Sequence, residues 1–264
     1  HQVRARIGRG IRPMRVFIDV RCAFGPGTGI RHYTTRLAQW LPVVGPFHDY
    51  RALALRSLRH CITSADRDAI GLPIVTPLLP LGLAEMVWRW WPEVGLDALS
   101  PGCDVYHLTD YRTPIVRTPA LVATIHDLAW VRVPQCYTQT SIAYFDRFLQ
   151  RCVQTAKIIV ADSQATRQDI LEYTDVDEAK VRVVHLGVDT YGGTPLSPSC
   201  IEETKARYGL HAAYFLMLGE TCRRKNIPLA LDAIQDIKQR RKDCPTLVCW
   251  WMARAPQQAR FQIL

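Results

Sequence analysis

The amino-acid sequence predicts an α/β fold with a largely parallel β-sheet. Short apolar segments that are typical of buried strands alternate with longer amphipathic segments that are typical of helices. This alternation begins near Met14, pauses at a stretch rich in Gly, Pro, Ser and Thr around residues 190–199, and then resumes. Strands that alternate with helices build Rossmann-like domains. We therefore expect one such domain and the start of a second.

The first half of the chain contains the less regular elements. The predicted strands are residues 16–20, 50–55 and 74–79. A helix is predicted over residues 30–41, because Tyr33, Leu37 and Leu41 are spaced to share one buried face. A second helix over residues 83–99 carries Trp88, Trp90 and Trp91, whose spacing favours a core position over a membrane-surface face.

The elements that follow are more clearly patterned. Strands are predicted at residues 104–108, 121–125, 158–161 and 181–186, with a helix at 138–157 and another that Ser163 caps and that runs to Tyr173. After the Gly/Pro-rich stretch we predict a strand at 215–218, a helix at 228–241 and a strand that begins at 246–248. Beyond Val248 we recognise neither helix nor strand periodicity.

These patterns divide the chain into four parts. Residues 1–13, with four arginines and no acidic residue, are predicted to be a non-native or disordered tail ahead of Met14. Residues 14–190 form a Rossmann-like N-terminal domain, residues 191–199 a linker, and residues 200–264 an incomplete C-terminal domain. A complete second sheet needs more strands than this last part supplies.

Composition narrows the classes of partner. Hydrophobic residues make up 48% of the chain, but no apolar run reaches the roughly 18 residues of a membrane-spanning helix. A net charge of +9 suits binding of anionic diphosphates or of an anionic membrane surface, and no nucleic-acid-binding module is recognisable. The nine cysteines form no C-x-x-C pair, which disfavours a zinc site and fits reduced thiols. We expect a cytoplasmic protein without a bound metal, and peripheral contact with the inner face of the membrane is left open.

Residues 25–30 form a glycine-rich turn between the first strand and the first helix. Glycine lets the backbone approach a phosphate, and the N-terminus of the following helix favours an anion, so Gly27, Thr28 and Gly29 are candidate binding residues. A dinucleotide fingerprint would need a third glycine where the chain has Ile30, which argues against an NAD-dependent oxidoreductase. A plain tight turn is the alternative.

His126 and Asp127 end the strand at residues 121–125, where ligands bind in open α/β sheets. A histidine there can hydrogen-bond a bound sugar in either sense. His107, on the preceding strand, is a weaker candidate. For all three residues the alternative is a purely structural role.

A basic segment follows the strand at residues 215–218 and opens the next helix. Within it, Gly219, Arg224 and Lys225 are candidates for holding a diphosphate leaving group. Basic residues at a helix N-terminus oppose the helix dipole, so a function explains them better than helix stability does. Asp175 and Asp177 match the D-x-D metal pattern, but we interpret them as turn residues.

These segments, in this order, resemble the retaining glycosyltransferases of the GT-B fold, known as glycosyl transferase group 1 or family 4. The resemblance runs from Met14 to about Val248. The matching segments are MRVFID at 14–19 with GTGI at 27–30, TIHDL at 124–128, VADSQAT at 160–166, KVRVVHLGVD at 180–189 and RKN at 224–226.

The resemblance implies a metal-independent enzyme that moves a mannose- or glucose-type hexose, with retention, from a GDP- or UDP-sugar to a glycan or lipid-linked acceptor. In such enzymes the N-terminal domain holds the acceptor and the C-terminal domain the donor, and no cofactor besides the donor is needed. By this likeness the segment 27–29 contacts donor phosphate or acceptor, His126 contacts the transferred sugar, and Ser163 shapes the cleft. Arg224 and Lys225 grip the diphosphate.

The chain departs from the family pattern in two places. Cys222 and Arg223 stand where the family has glutamate and proline. The family's paired glutamates, which bind the donor, lie beyond the recognisable pattern, so we expect this chain to be inactive alone. The alternative function is a non-catalytic module that binds a glycan or lipid acceptor.

Overall fold

The structure is a computed structural model that describes residues 12–24, 29–54, 62–76, 102–111, 120–188, 196–210, 212–218, 223–241, 244–251 and 260–263. It divides into two compact units, His1–Leu186 and Gly187–Leu264. The division falls a few residues before the predicted end of the N-terminal domain. The predicted tail at 1–13 and helix at 83–99, with its three tryptophans, lie largely or wholly outside the described residues.

The strands and helices follow one another in the predicted alternation. The strands are β1 (Arg15–Asp19), β2 (Asp49–Leu53), β3 (Ile74–Val75), β4 (Val105–Leu108), β5 (Ala120–Ile125), β6 (Ile158–Ala161), β7 (Val181–Val183), β8 (Tyr214–Leu218), β9 (Thr246–Trp251) and β10 (Arg260–Ile263). The α-helices are α1 (Gly29–Val44), α2 (Ser64–Ile70), α3 (Ala129–Arg132), α4 (Gln139–Thr155), α5 (Gln164–Tyr173), α6 (Pro198–Arg207) and α7 (Ile227–Arg240).

Within the described residues, the first unit is built on a seven-stranded sheet in the order β3-β2-β1-β4-β5-β6-β7. Every neighbouring pair in it is parallel. From β1 the chain first adds strands on one side and then, from β4, on the other. The order therefore reverses between β1 and β4. In open α/β sheets this reversal opens a crevice beyond the carboxyl ends of the two strands.

The sheet is buried on both faces, as its apolar strands require. Along β1, Val16 and Ile18 pack in one hydrophobic cluster, with Ala38 of α1, and Phe17 packs in the other. The second cluster extends through β5 and β6 to Leu149 of α4, which is fully buried. A central strand that buries alternate side chains on opposite faces fixes the register of its neighbours, since a slip of one residue would exchange the two faces.

Side-chain caps set where several helices begin. The hydroxyl of Ser163 accepts a hydrogen bond from the Thr166 backbone N–H at 3.0 Å, so the predicted cap of α5 is confirmed. Thr138 caps α4 in the same way. Thr63 and Asp66 form a reciprocal capping box at the start of α2, a helix that we did not predict.

The second unit contains a βαβ arrangement. β8 and β9 are parallel neighbours, α7 lies between them in sequence, and Ile234 of this helix packs with Leu247 and Cys249 of β9. The start of a second Rossmann-like domain is thus confirmed, and with it the predicted α/β fold class. None of the helices in the described residues has both the length and the apolar character needed to cross a membrane.

Some predicted boundaries were wrong. β7 ends at Val183, not at residue 186, since Val184 and Leu186 are already exposed. α6 begins at Pro198, inside the predicted linker, because Ser197 caps it and proline is favoured in a first helical turn.

The sequence after Val248 is also more regular than predicted. β9 continues to Trp251, and β10 pairs with it in the antiparallel sense from Arg260 to Ile263. β10 pairs with β9 through backbone hydrogen bonds, and such pairing does not require apolar and polar side chains to alternate along the strand. The sequence therefore shows no strand periodicity here.

Candidate functional site

A polar site lies at the carboxyl ends of β1, β4 and β5, where the strand order reverses. The buried hydroxyl of Thr109 donates a hydrogen bond to the Asp19 carbonyl at 2.7 Å and so ties the ends of β4 and β1 together. Asp19, Thr109 and Asp110 are all buried here. These buried polar residues lie at the edge where open α/β sheets bind their ligands, which makes it the candidate site.

His126 lies at the centre of this site. Ile125 and Ala161 are partners in the parallel pairing of β5 with β6, so the residues that follow them, His126 and Asp162, emerge side by side. The Nδ1 atom of His126 lies 2.6 Å from the Asp162 carboxylate, and its Nε2 atom lies 2.9 Å from the Thr109 carbonyl oxygen. Both ring nitrogens are therefore bound to groups of the protein.

These contacts change the protonation of His126. Burial alone would lower the pKa of the imidazole. The hydrogen bond and the charge of Asp162, helped by the Thr109 carbonyl and by Asp110, outweigh it and raise the pKa above its ordinary value. The protonated ring therefore loses its proton at a higher pH than a free histidine does.

A second chain of hydrogen bonds runs beside His126. The fully buried Thr124 places its hydroxyl 2.9 Å from the Tyr33 hydroxyl and 2.9 Å from Nε2 of His107. The Tyr33 ring meets the His126 ring edge to face, with 4.9 Å between centroids. Tyr33 thus connects α1, which follows the glycine-rich segment, to the imidazole.

Burial keeps Tyr33 and His107, the two ends of this series of hydrogen bonds, uncharged near neutral pH. Burial raises the pKa of Tyr33, and the hydrogen bond with Thr124 partly offsets this, so that the pKa is raised to about 12. Burial lowers the pKa of His107, the charge of Asp19 opposes this and the charge of His126 adds to it, so that the pKa is lowered to about 4. The pKa values of the two histidines of the site are therefore shifted in opposite directions.

The cap of α5 supports His126 from the backbone side. Thr166, whose N–H the Ser163 hydroxyl accepts, donates its own hydroxyl to the His126 carbonyl at 3.0 Å. The predicted site residue Ser163 therefore acts on the site through Thr166. His185 adds a contact between its Nδ1 atom and the Asp162 carbonyl at 3.2 Å.

Buried Asp19 and half-buried Arg21 form an ion pair that we did not predict. The Arg21 guanidinium donates to both carboxylate oxygens of Asp19, at 2.9 to 3.1 Å. Two acceptors matched by a planar fork give a well-defined geometry. A charged residue inside the apolar strand Arg15–Asp19 was the available signal, because carboxylates are rarely buried unless paired.

The remaining predicted site residues have different positions. Asp127 is exposed, and its carboxylate accepts the Ala129 backbone N–H at 3.1 Å at the start of α3. Gly29 opens α1, and a Cβ added to it would meet no atom within 4 Å among the described residues. Gly27, Thr28 and Gly219 lie outside the described residues.

Arg224 and Lys225 belong to the second unit. They are exposed and form a 3₁₀ turn directly before α7. Asn226 precedes that helix in the left-handed region, with φ of 48°, which asparagine tolerates better than most residues. The structure thus brings together His126, His107 and Ser163 in the first unit, while the basic turn is described within the second.

The D-x-D segment has a structural role at Asp177. Its carboxylate accepts the Ala179 backbone N–H at 2.9 Å and caps a 3₁₀ turn before β7. Among the described residues, no three His, Cys, Asp or Glu side chains are grouped as a metal ion would need.

An open parallel sheet with a polar site at its point of reversal defines a Rossmann-like α/β protein. The profile described as Glycosyltransferase Family 4 matches residues 27–191, which is more than half of the 264-residue chain. The chain belongs to glycosyltransferase family 4. A search of curated proteins finds no match.

Solved structures show the same fold. HepE from Anabaena in complex with UDP-glucose has a TM-score of 0.50 at 16% identity, over 78% of this chain and 52% of HepE. HepE in complex with UDP and glucose has a TM-score of 0.55 at 15% identity, over 91% of this chain and 61% of HepE. The predicted GT-B-type fold is thereby confirmed, and the chain spans between about half and three fifths of HepE.

Proposed function

We propose that the chain is part of a retaining, metal-independent glycosyltransferase that moves a glucose- or mannose-type hexose from a nucleotide-diphosphate sugar to a glycan or lipid-linked acceptor. The observation that carries the proposal is the polar site of His126, which lies inside the segment that matches family 4. Its hydrogen-bonding groups suit a hydroxyl-rich ligand.

The donor in this proposal is UDP-linked, with GDP as the alternative. HepE, a protein of the same fold, binds UDP-glucose. In this chain the exposed turn with Arg224 and Lys225 is the proposed grip on the diphosphate. A guanidinium supplies a planar fork of donors and an ammonium a compact charge, and together they neutralise a departing diphosphate.

Calorimetric titration of the chain with UDP-glucose and with GDP-mannose tests this donor proposal. Replacing Arg224 or Lys225 with glutamine is expected to weaken binding about tenfold, since each removes a charge-assisted hydrogen bond. Arg240→Gln is the matched control. Arg240 is an exposed cation on α7 that pairs with Asp236, so its loss is expected to leave the affinity within about twofold.

Equal affinities of all three variants would contradict the role of the basic turn. Binding of an acceptor glycan or lipid without any affinity for either nucleotide sugar would favour the non-catalytic acceptor-binding module instead. Retention is tested separately, by NMR assignment of the anomeric configuration in the transferred product.

Peripheral membrane contact at the inner face of a membrane, and with it a cytoplasmic location, belongs to the same proposal. The net charge of +9 favours an anionic surface. Trp40, Val43 and Val44 at the end of α1 are exposed and could enter the interface. Co-sedimentation with vesicles that contain phosphatidylglycerol is expected, and it should weaken for Trp40→Ala. Equal sedimentation with neutral phosphatidylcholine vesicles would contradict the electrostatic part.

A further inference from the structure

Two acceptors face the two nitrogens of His126. A carbonyl oxygen can only accept, so the contact between Nε2 and the Thr109 oxygen requires a proton on Nε2. An ionised carboxylate also only accepts, so the contact between Nδ1 and Asp162 at 2.6 Å requires a proton on Nδ1. If Asp162 is ionised, the ring carries both protons.

Asp162 lies beside a helix N-terminus and faces the imidazole of His126. The residue directly precedes Ser163, the N-cap of α5, and the N-terminus of a helix stabilises a negative charge. Among the described residues His126 is the only group that forms an ion pair with Asp162. The second carboxylate oxygen, Oδ1, is buried and has no hydrogen-bond partner among the described residues. The imidazole of His126 is thus the charge partner that the geometry offers to this largely buried carboxyl group.

We infer that Asp162 is a positioning residue that holds His126 as an imidazolium, with both ring N–H groups fixed as donors at the carboxyl ends of β4 and β6. The role of this imidazolium in ligand binding rests on the proposed function. An imidazolium can donate a hydrogen bond to a sugar or phosphate oxygen, but it can neither accept one from a sugar hydroxyl nor act as a general base. It would reach a ligand by exchanging the Thr109 carbonyl for the ligand's oxygen.

The other titratable neighbours of His126 come from three further places and are compatible with a cation. Tyr33 of α1 and His107 of β4 are neutral near pH 7, because burial raises the pKa of the first and lowers that of the second. Asp110, which follows β4, is a carboxyl that raises the pKa of His126. The charged neighbours together raise the pKa of His126, and Asp162 makes the largest contribution to this rise.

The decisive measurement is an NMR titration of the His126 ring in the 264-residue chain. In wild type, both ring nitrogens are expected to give protonated ¹⁵N shifts at pH 7, and the pKa is expected to lie above 6.5. One unprotonated nitrogen at pH 7 would overturn the inference without any variant. This spectrum therefore decides the question even if substitutions at Asp162 impair folding.

The variant Asp162→Asn supplies the causal test. Asparagine keeps the size of the side chain and can donate its amide to a neutral Nδ1, so the ring orientation is preserved while the charge is lost. Burial then dominates, and the pKa of His126 is expected to fall by at least about one pH unit, a tenfold change in the protonation equilibrium. Asp162→Glu should restore part of the rise. Asp146→Asn, on α4, is the matched control and should leave the titration unchanged.

A binding assay connects this to function. At pH 7 the Kd for UDP-glucose is expected to be about tenfold weaker in Asp162→Asn than in wild type, because a neutral ring donates more weakly, and the difference should shrink as the pH falls through the lowered pKa of His126 in the variant. A pKa of His126 that is the same in Asp162→Asn and wild type would overturn the inference. Wild type that binds no sugar nucleotide would count against the proposed function, while the titration would still judge the role of Asp162.

Discussion

Replacing Thr124 with valine tests whether the buried hydrogen-bond chain beside His126 stabilises the first unit. Valine has nearly the shape of threonine but no hydroxyl, so the packing at this fully buried position is kept. The Tyr33 hydroxyl and Nε2 of His107, each 2.9 Å from the Thr124 hydroxyl, lose that partner. A buried polar group left unpaired costs about 1–3 kcal/mol, and with roughly 1–2 kcal/mol for each of these two groups we expect a loss of about 2–4 kcal/mol.

The assay is urea unfolding followed by circular dichroism. Because the chain consists of two compact units, two transitions can occur, and Thr124→Val should shift only that of His1–Leu186. The matched control is Thr155→Val. Its hydroxyl donates only within α4, to the Arg151 carbonyl at 2.6 Å, so its loss should cost at most about 1 kcal/mol.

A double variant separates lost bonds from unpaired groups. Adding Tyr33→Phe to Thr124→Val removes one of the two unpaired partners, so the double variant should be less destabilised than the sum of the single variants by roughly 1 kcal/mol. If Thr124→Val costs no more than Thr155→Val, or if the two substitutions near His126 are strictly additive, the reasoning about this chain of hydrogen bonds is refuted.

Three further predictions follow from single contacts. Ser163→Ala should destabilise the first unit by about 1 kcal/mol in thermal unfolding, whereas Ser163→Thr, which keeps a capping hydroxyl, should cost less. In pulsed thiol labelling read by mass spectrometry, exposed Cys200 should react far faster than buried Cys152, whose thiol pKa is raised to about 12 by burial, and equal rates would contradict the packing of α4. Because the pKa of His107 is depressed to about 4 in the folded state, stability should fall as the pH drops from about 6.5 to 4, by at most about 3 kcal/mol, and His107→Gln should abolish this slope in denaturant titrations at several pH values.

The elements that local sequence predicts well are those with strong local causes. β6 and α5 were predicted to the residue, because the apolar strand that ends at Ala161 is followed two residues later by Ser163, whose hydroxyl caps the helix. α2 was missed although Thr63 and Asp66 carry a recognisable capping box, since the seven residues of the helix offer too little periodicity. α6 was missed because its starting residues, Ser197 and Pro198, are as typical of a linker as of a helix N-terminus.

The sequence predicted that the site lies at strand ends, but it did not predict which residues contact one another there. That His126 follows β5 is readable from the sequence. That it faces Asp162 depends on the register of β5 against β6, which pairs Ile125 with Ala161, and the two contacting residues His126 and Asp162 are 36 positions apart in sequence. The link from Thr109 to Asp19, 90 residues apart, depends in the same way on the placement of β4 beside β1. Such contacts are properties of the assembled sheet.

The two histidines of the site show why residue type alone does not assign chemistry. His107 and His126 belong to neighbouring strand ends and both are largely removed from water, yet the pKa of the first is lowered and that of the second is raised. Burial acts in the same direction on both, so the difference comes from the partner: a hydroxyl of Thr124 for one and the carboxylate of Asp162 for the other. Of the two, only His126 is held ready to donate from both nitrogens, and this makes it the stronger candidate for contact with an anionic or hydroxyl-rich ligand.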